Sequence, residues 1–329
     1  MSKKVSIIIP IHNVENYINK CLDSVVQQTY ANIEAILIDD GSTDKSGIIA
    51  KEYAQKYGWI YEYIEMGGAS KARNYALRKV TGDYILLLDG DDYLLPNLVE
   101  KVVNQAETED LEVYGFSAYT FRDDAEDVLE WNTSGYKYKG QYDRVYSGSE
   151  LLTSLIANQD QDITCCWIFM IRKSYWDSLQ IQFPEGIILE DNYVHLMMLA
   201  KAKKIRIENI PLYCHRYHSK SVMATANTEK LLKATHRLLV ETEKAVDEDK
   251  VLDEKVIGWY MHDYAWKYAG NWAKTEIQNK QQLSDLTKDV REISRQHHCW
   301  QDNKLKLFVY MPLIFRVRQG LRNTIKERI

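Results

Sequence analysis

The hydrophobic positions fall first into short unbroken runs. Val5 to Ile11 (VSIIIPI), Ile33 to Ile38 (IEAILI) and Tyr84 to Leu88 (YILLL) are apolar and largely β-branched, the pattern of parallel strands covered on both faces. Between them the period becomes helical. After Asn13, which is placed to cap a helix, Val14, Tyr17, Ile18, Cys21, Leu22, Val25 and Val26 predict one buried stripe. Asp44 is placed to cap a second helix carrying Ile48, Ile49 and Tyr53 and stopped by Gly58, and Ser70 a third that ends near Gly82. Strand and helix alternate, which predicts a doubly wound α/β sheet whose ligands gather at the carboxyl ends of the strands.

From about Glu112 the pattern turns irregular and aromatic through Tyr146, compatible with a hairpin or with an insertion facing an acceptor. A helix from near Ser147, a strand-like run at Ile163 to Ile171, a helix from Glu190 and a strand ending near Tyr217 close a first domain, expected at 1–225. Residues 226–329 read as helical, with Trp259, Tyr260, Tyr264, Trp266 and Trp272 spaced for packing. The segment 304–329 is apolar on one side and basic on the other, which suits either an anionic membrane surface or a last helix packed on the bundle.

Composition narrows the function classes. A formal charge of -5 without a basic stripe argues against nucleic acid as a partner, and an acidic protein that handles phosphates needs a cation. The five cysteines form no C-x-x-C pair, so reduced thiols and a cytoplasmic setting are expected. No apolar stretch reaches the roughly 20 residues of a membrane span. The exposed aromatic helices would also suit a homo-oligomer.

The densest chemical signal is Asp89-Gly90-Asp91-Asp92, directly after an apolar strand. Crowded carboxylates repel one another, and a divalent ion among them, Mg²⁺ or Mn²⁺, removes that cost while substrate phosphates complete its shell. Read alone, the cluster is also compatible with an acidic turn. A second acidic pair, Asp39-Asp40, ends the preceding strand run beside Gly41, where a carboxylate can receive hydrogen bonds from a ribose or base. No G-x-G-x-x-G follows a strand, which disfavours a dehydrogenase, and HNVENY stands where a nucleotidyltransferase would carry a Gly- and Lys/Arg-rich phosphate loop.

Taken together, VSIIIPIHNVEN at Val5 to Asn16, IDDGSTD at Ile38 to Asp44, ASKARNYAL at Ala69 to Leu77 and GDYILLLDGDD at Gly82 to Asp92 resemble the family 2 glycosyltransferases of the GT-A fold. The resemblance implies a doubly wound mixed sheet with a C-terminal helical region, and an inverting, metal-dependent transfer from a nucleotide sugar, commonly a UDP-sugar. By position, Pro10, His12, Glu15 and Asp40 would line the nucleoside pocket, and Lys71 and Arg73 would reach the nucleotide. Asp89 and Asp91, with Gly90 between them, would form the D-x-D motif, Asp91 as metal ligand and Asp89 nearer the ribose. Glu190-Asp191 looks like the family's E-D pair, whose aspartate is the catalytic base; a capping box is the plainer reading of the same residues. Arg216, His218 and Ser219 resemble the loop that covers the donor diphosphate. Two positions depart from the family pattern: His12 where an aromatic is common, and Glu65-Met66-Gly67 where Asn-x-Gly is usual.

The implied acceptor is a hydroxyl of a glycan, glycolipid or glycoprotein, in bacterial surface polysaccharide or glycoprotein assembly. The rival from another class is a non-catalytic subunit that binds a sugar nucleotide or glycan for a partner transferase; it would bind UDP with metal and show no turnover.

Overall fold

The three apolar runs occupy the middle of one mixed sheet. The computed structural model describes residues 2–123, 135–160, 162–219, 221–222, 224–248, 253–275, 284–299 and 303–310. Strands β1 (Val5–Ile11), β2 (Ile33–Asp40), β3 (Ile60–Ile64) and β4 (Tyr84–Leu87) are mutually parallel, with β1 flanked by β2 and β4. Ile7, Ile8, Ile9, Ile36, Leu37 and Leu86 have no solvent exposure, the burial their continuous hydrophobicity anticipates.

The remaining strands are β5 (Tyr93–Leu94), β6 (Val113–Arg122), β7 (Phe169–Arg172) and β8 (Ile205–Tyr217), giving the order β3-β2-β1-β4-β7-β6-β8-β5. The second half mixes directions. Strand β7 lies antiparallel between β4 and β6, while β6 and β8 run parallel. This brings the end of β8 beside the end of β4, although more than a hundred residues separate them in the chain.

Helices α1 (Ile18–Val26), α2 (Ser46–Tyr57), α3 (Ala69–Leu77) and α4 (Leu98–Thr108) make the crossovers. The stripe on α1 buries Ile18, Cys21, Leu22 and Val25, while Val26 is exposed. Asn13 is no helix cap: it adopts φ 52°, and α1 begins only after Tyr17. The Asn13 side chain instead accepts from the Thr43 N–H at 2.8 Å, joining the loops after β1 and β2. Asp44 is not the cap of α2 either: the N-cap is Lys45, and Asp44, one residue earlier, receives the Ser46 N–H at 2.9 Å; Gly58 ends that helix at φ 70° as expected. Ser70 lies inside α3 rather than before it, because Gly68 supplies the entry conformation; that helix ends at Leu77.

Helix α5 (Gly148–Ala157) opens with a reciprocal capping box between Ser147 and Glu150. The run expected as one strand at Ile163 to Ile171 is divided. Cys166–Ile168 form a 3-10 turn that buries Trp167, and only Phe169–Arg172 join the ladder, ahead of α6 (Lys173–Leu179). Helix α7 spans Glu190–Ala200, entered through Leu189 at φ 66°.

Two compact units result. One comprises 1–186 and 194–219, the other 187–193 and 220–329, so the first turn of α7 is grouped with the helices. The helical unit contains α8 (Thr228–Glu248), α9 (Glu254–Lys274), α10 (Ser284–Gln296) and α11 (Asn303–Tyr310). Tyr260, Met261, Tyr264, Tyr268 and Trp272 form the buried side of α9, and Trp272 meets Phe308 of α11 at 5.6 Å. His236 on α8 pairs with Asp289 on α10. Most of the basic amphipathic tail, 311–329, lies outside the described residues. Among the described residues no helix is long and apolar enough to cross a membrane, and the cysteines form no disulfide.

Candidate active site

The carboxyl ends of β1, β2 and β4 meet at one edge, and short loops lock them together. The His12 ring nitrogen Nδ1 lies 2.8 Å from the Asp40 carbonyl, and Glu15 accepts the Lys45 N–H at 3.1 Å. Pro10, at the end of β1, is half-buried. Both strand-end aspartates of β2 are buried and occupied. Asp39 accepts from the Ser42 N–H and the Tyr61 hydroxyl. Asp40 receives the backbone N–H groups of Gly67 and Gly68, each at 2.7 Å, which fixes the turn into α3. That turn needs glycine at position 68, where φ is 89°.

Two adjacent residues of α3 act in different directions. Arg73 is buried and donates from Nη2 to Asp89 Oδ1 at 2.8 Å, with its guanidinium 5.4 Å from the Phe183 ring. Asn74 donates to the Phe183 carbonyl and to Glu185, and accepts the Phe183 N–H at 2.9 Å. Thus α3 fixes both the acidic corner and the segment that leads toward Glu190-Asp191. Lys71, half-buried, donates to the Glu65 carbonyl at 3.0 Å.

The three carboxylates after β4 sit in three different environments. Asp89 is compensated by Arg73. Asp92 is buried, receives the Arg216 N–H and the Tyr213 hydroxyl, and has its pKa driven well up by burial and by the neighbouring Asp91 and Asp89. Asp91 is partly exposed and lies 2.8 Å from His218 Nε2. The hydrogen bond to Asp91 raises the His218 pKa against the opposing effect of burial. Gly90 keeps the corner tight: a Cβ there would stand 3.2 Å from the Pro10 carbonyl and from the Val14 side chain.

Arg216 braces the corner from β8. Its Nε donates to the Asp91 carbonyl at 2.9 Å and its Nη1 to Asp123 at 2.8 Å, while the guanidinium lies between the Tyr17 and Phe121 rings. Tyr17 donates to the same Asp123, and burial together with that carboxylate pushes its pKa to about 12. Ser219 is exposed at the end of this segment. Glu190 and Asp191 occupy the first turn of α7, where the helix dipole favours negative charge. Among the described residues no three His, Cys, Asp or Glu side chains converge as a ready-made metal cage.

The contributions of Asp123, Tyr17 and Tyr213 carry no local signal of chemistry. Asp92 lies within the acidic cluster and Asn74 within the A-R-N string, but the partners of Asn74 are 109 and 111 positions away.

A mixed sheet of this order, with an acidic turn after β4 braced by a basic segment at the end of β8, defines a GT-A type glycosyltransferase fold. Residues 6–179 match the model of Glycosyl transferase family 2, and the chain belongs to that family. The glycosyltransferase GlyA of Streptococcus pneumoniae is 30% identical over 235 residues, which are 70% of this chain and 33% of that protein. The chain therefore spans about a third of that relative's length. Among solved structures, S. aureus TarS in complex with UDP-GlcNAc superposes with a TM-score of 0.70 at 18% identity, covering 96% of this chain and 89% of that one. A mannosyltransferase from Pyrobaculum calidifontis, in complex with GDP-Man and Mn²⁺, gives a TM-score of 0.54 at 13% identity, covering 98% and 88%. These two likenesses are of fold.

Proposed function

We propose that the chain is an inverting transferase that moves a sugar from a nucleotide diphosphate, of the UDP type, to a hydroxyl of a glycan or glycoconjugate acceptor. The observation that carries this reading is the sorting of charge after β4. Arg73 compensates Asp89 and burial favours the neutral form of Asp92, which leaves Asp91 as the accessible carboxylate, with an imidazole beside it. A cation that takes one or two protein ligands and completes its shell with phosphates suits such a corner better than a closed cage would. The TarS complex with UDP-GlcNAc supports the donor class.

Asp91 would hold Mn²⁺ or Mg²⁺, with His218 as a second donor and Asp89 set by Arg73 toward the ribose. The ion, when bound, supplies neutralisation of the charge that grows on the departing nucleotide. Arg216 keeps the corner in shape with Nε and Nη1, and Nη2 is its remaining group for a phosphate oxygen. Pro10, His12, Glu15 and Asp40 shape the nucleoside side, Asp40 through the Gly67-Gly68 turn that it holds. Lys71 lies on the same side, and Ser219 follows the diphosphate-covering segment. Asp191, at the start of α7 beside Glu190, takes the proton from the acceptor hydroxyl as that oxygen attacks the anomeric carbon. Attack opposite the leaving diphosphate inverts the configuration, so an α-linked donor gives a β-linkage.

Calorimetry with UDP and Mn²⁺, joined to a donor-hydrolysis and transfer assay, tests the assignment. Asp91→Ala should lose metal-dependent binding. Asp191→Asn should keep binding and lose turnover by about 10²- to 10⁴-fold. Equal loss of binding in both variants overturns the division of roles, and metal-dependent UDP binding without turnover in the unmodified protein overturns the enzyme reading.

A further inference from the structure

Successive side chains of a strand alternate between faces, so Tyr213, His215 and Tyr217 of β8 share one side of the sheet. The Trp167 indole lies across the first two, 4.3 Å from the Tyr213 ring and 5.3 Å from the His215 ring with only 6° between the planes. Tyr136 closes the edge of this stack, 4.8 Å from Trp167 and 5.3 Å from His215. Tyr217 stands at 89° to His215 with centroids 4.8 Å apart.

The two ends of this wall differ. At the inner end Tyr213 is buried, donates to Asp92 and accepts the Asp89 N–H at 3.1 Å. At the outer end Tyr217 is 48% exposed. A row of rings therefore starts at the back of the acidic corner and emerges beside it. Burial lowers the His215 pKa although Asp91 and Asp89 pull the other way.

We infer that this wall, with Tyr217 as its accessible rung, is a stacking subsite for a pyranose ring delivered to the acidic corner. The inference deepens the transferase reading and rests on it. One face of a pyranose presents C–H groups that pack on an aromatic ring, while its hydroxyls remain free at the rim for hydrogen bonds. The row begins at Tyr213, whose hydroxyl bonds the acidic corner, so a sugar attached to a diphosphate held there, or the sugar that receives it, would have an aromatic surface within reach.

The test uses the full chain with Tyr217→Ala, Tyr217→Phe and His215→Ala, each checked for an unchanged circular dichroism spectrum. Calorimetry measures UDP and UDP-GlcNAc with Mn²⁺. Saturation-transfer NMR measures methyl β-glucopyranoside and methyl β-N-acetylglucosaminide with UDP and Mn²⁺ present. UDP affinity should hold in every variant. A fall of about 3- to 10-fold in UDP-GlcNAc affinity in Tyr217→Ala, restored by Tyr217→Phe, supports a subsite for the donor's ring. Loss of pyranoside saturation in Tyr217→Ala alone, again restored by phenylalanine, supports one for the acceptor's ring.

Unchanged sugar binding in Tyr217→Ala overturns the inference. So does an equal loss of UDP itself, or an unmodified protein that binds UDP but gains nothing from any sugar. His215→Ala serves as the second reading should Tyr217→Ala misfold. Failure of the transferase reading is distinguishable, because the unmodified protein would then show no metal-dependent UDP binding at all.

Discussion

Arg73 and Asp89 meet at 2.8 Å although one lies on a helix and the other follows a strand, and the arginine is almost fully buried while the aspartate retains some exposure. A buried cation against Asp89 lowers the cost of crowding three carboxylates at this corner.

Arg73→Met should therefore destabilise the protein by about 2–3 kcal/mol, the cost of losing a charge-assisted hydrogen bond and leaving Asp89 uncompensated. Added Mn²⁺ should raise the melting temperature of this variant more than that of the parent, because the ion replaces the missing charge. Equal metal-induced shifts in a thermal melt would show that Asp89 does not depend on Arg73.

Asn74 uses both ends of its amide on one segment, with two bonds to Phe183 and one to Glu185. Asn74→Ala should cost about 2 kcal/mol and speed hydrogen exchange at residues 183–186. Asn74→Asp should be worse than alanine, since a carboxylate cannot donate to the Phe183 carbonyl and repels Glu185. Chemical denaturation of the three proteins checks the order.

Glu34 gives a pH prediction. Burial would raise its pKa, but hydrogen bonds from Lys4, Ser6 and Thr81 outweigh that and lower it to about 2. A depressed folded-state value contributes stability that is full above the unfolded pKa, near 4.5, and is lost as pH falls toward 2. After allowance for solvent screening this amounts to about 1–2 kcal/mol. Glu34→Gln should be less stable than the parent at pH 7, and the gap should close between pH 4.5 and 2 in denaturant titrations. A gap independent of pH would refute the ionic origin.

Gly148 begins α5 with no room for a side chain: a Cβ would fall 1.6 Å from the Leu199 carbonyl oxygen and 2.7 Å from its carbon. Those are backbone atoms of α7, which cannot give way as a side-chain tip can. Gly148→Ala should cost at least about 2–3 kcal/mol, read as a lowered denaturation midpoint, whereas alanine at the open Gly258 should be neutral or slightly stabilising.

Much of the first half was legible because its signals are local. A run such as Val5–Ile11 can satisfy its hydrophobicity only as a strand covered on both faces, and the stop at Gly58 follows from the φ that glycine permits. The Asn13 reading failed for a tertiary reason: its side chain accepts the N–H of Thr43, in the loop after β2, which no local pattern around Asn13 announces. The divided run at Ile163 to Ile171 shows a different limit. Nothing in its pattern says that Trp167 turns aside to stack on β8 while Phe169 enters the ladder.

The sequence by itself determined the alternating strands and helices, the acidic turn after a buried strand and the family. These depend on residue type, spacing and short motifs, which survive without knowledge of long-range pairing. Only the tertiary structure decided which of Asp89, Asp91 and Asp92 is compensated, buried or accessible, and that aromatic residues from three segments form one wall. The physical reason is that charge state and stacking depend on neighbours within a few ångströms, and those neighbours come from α3, the segment at Tyr136, the turn that carries Trp167 and β8, whose meeting no local period encodes.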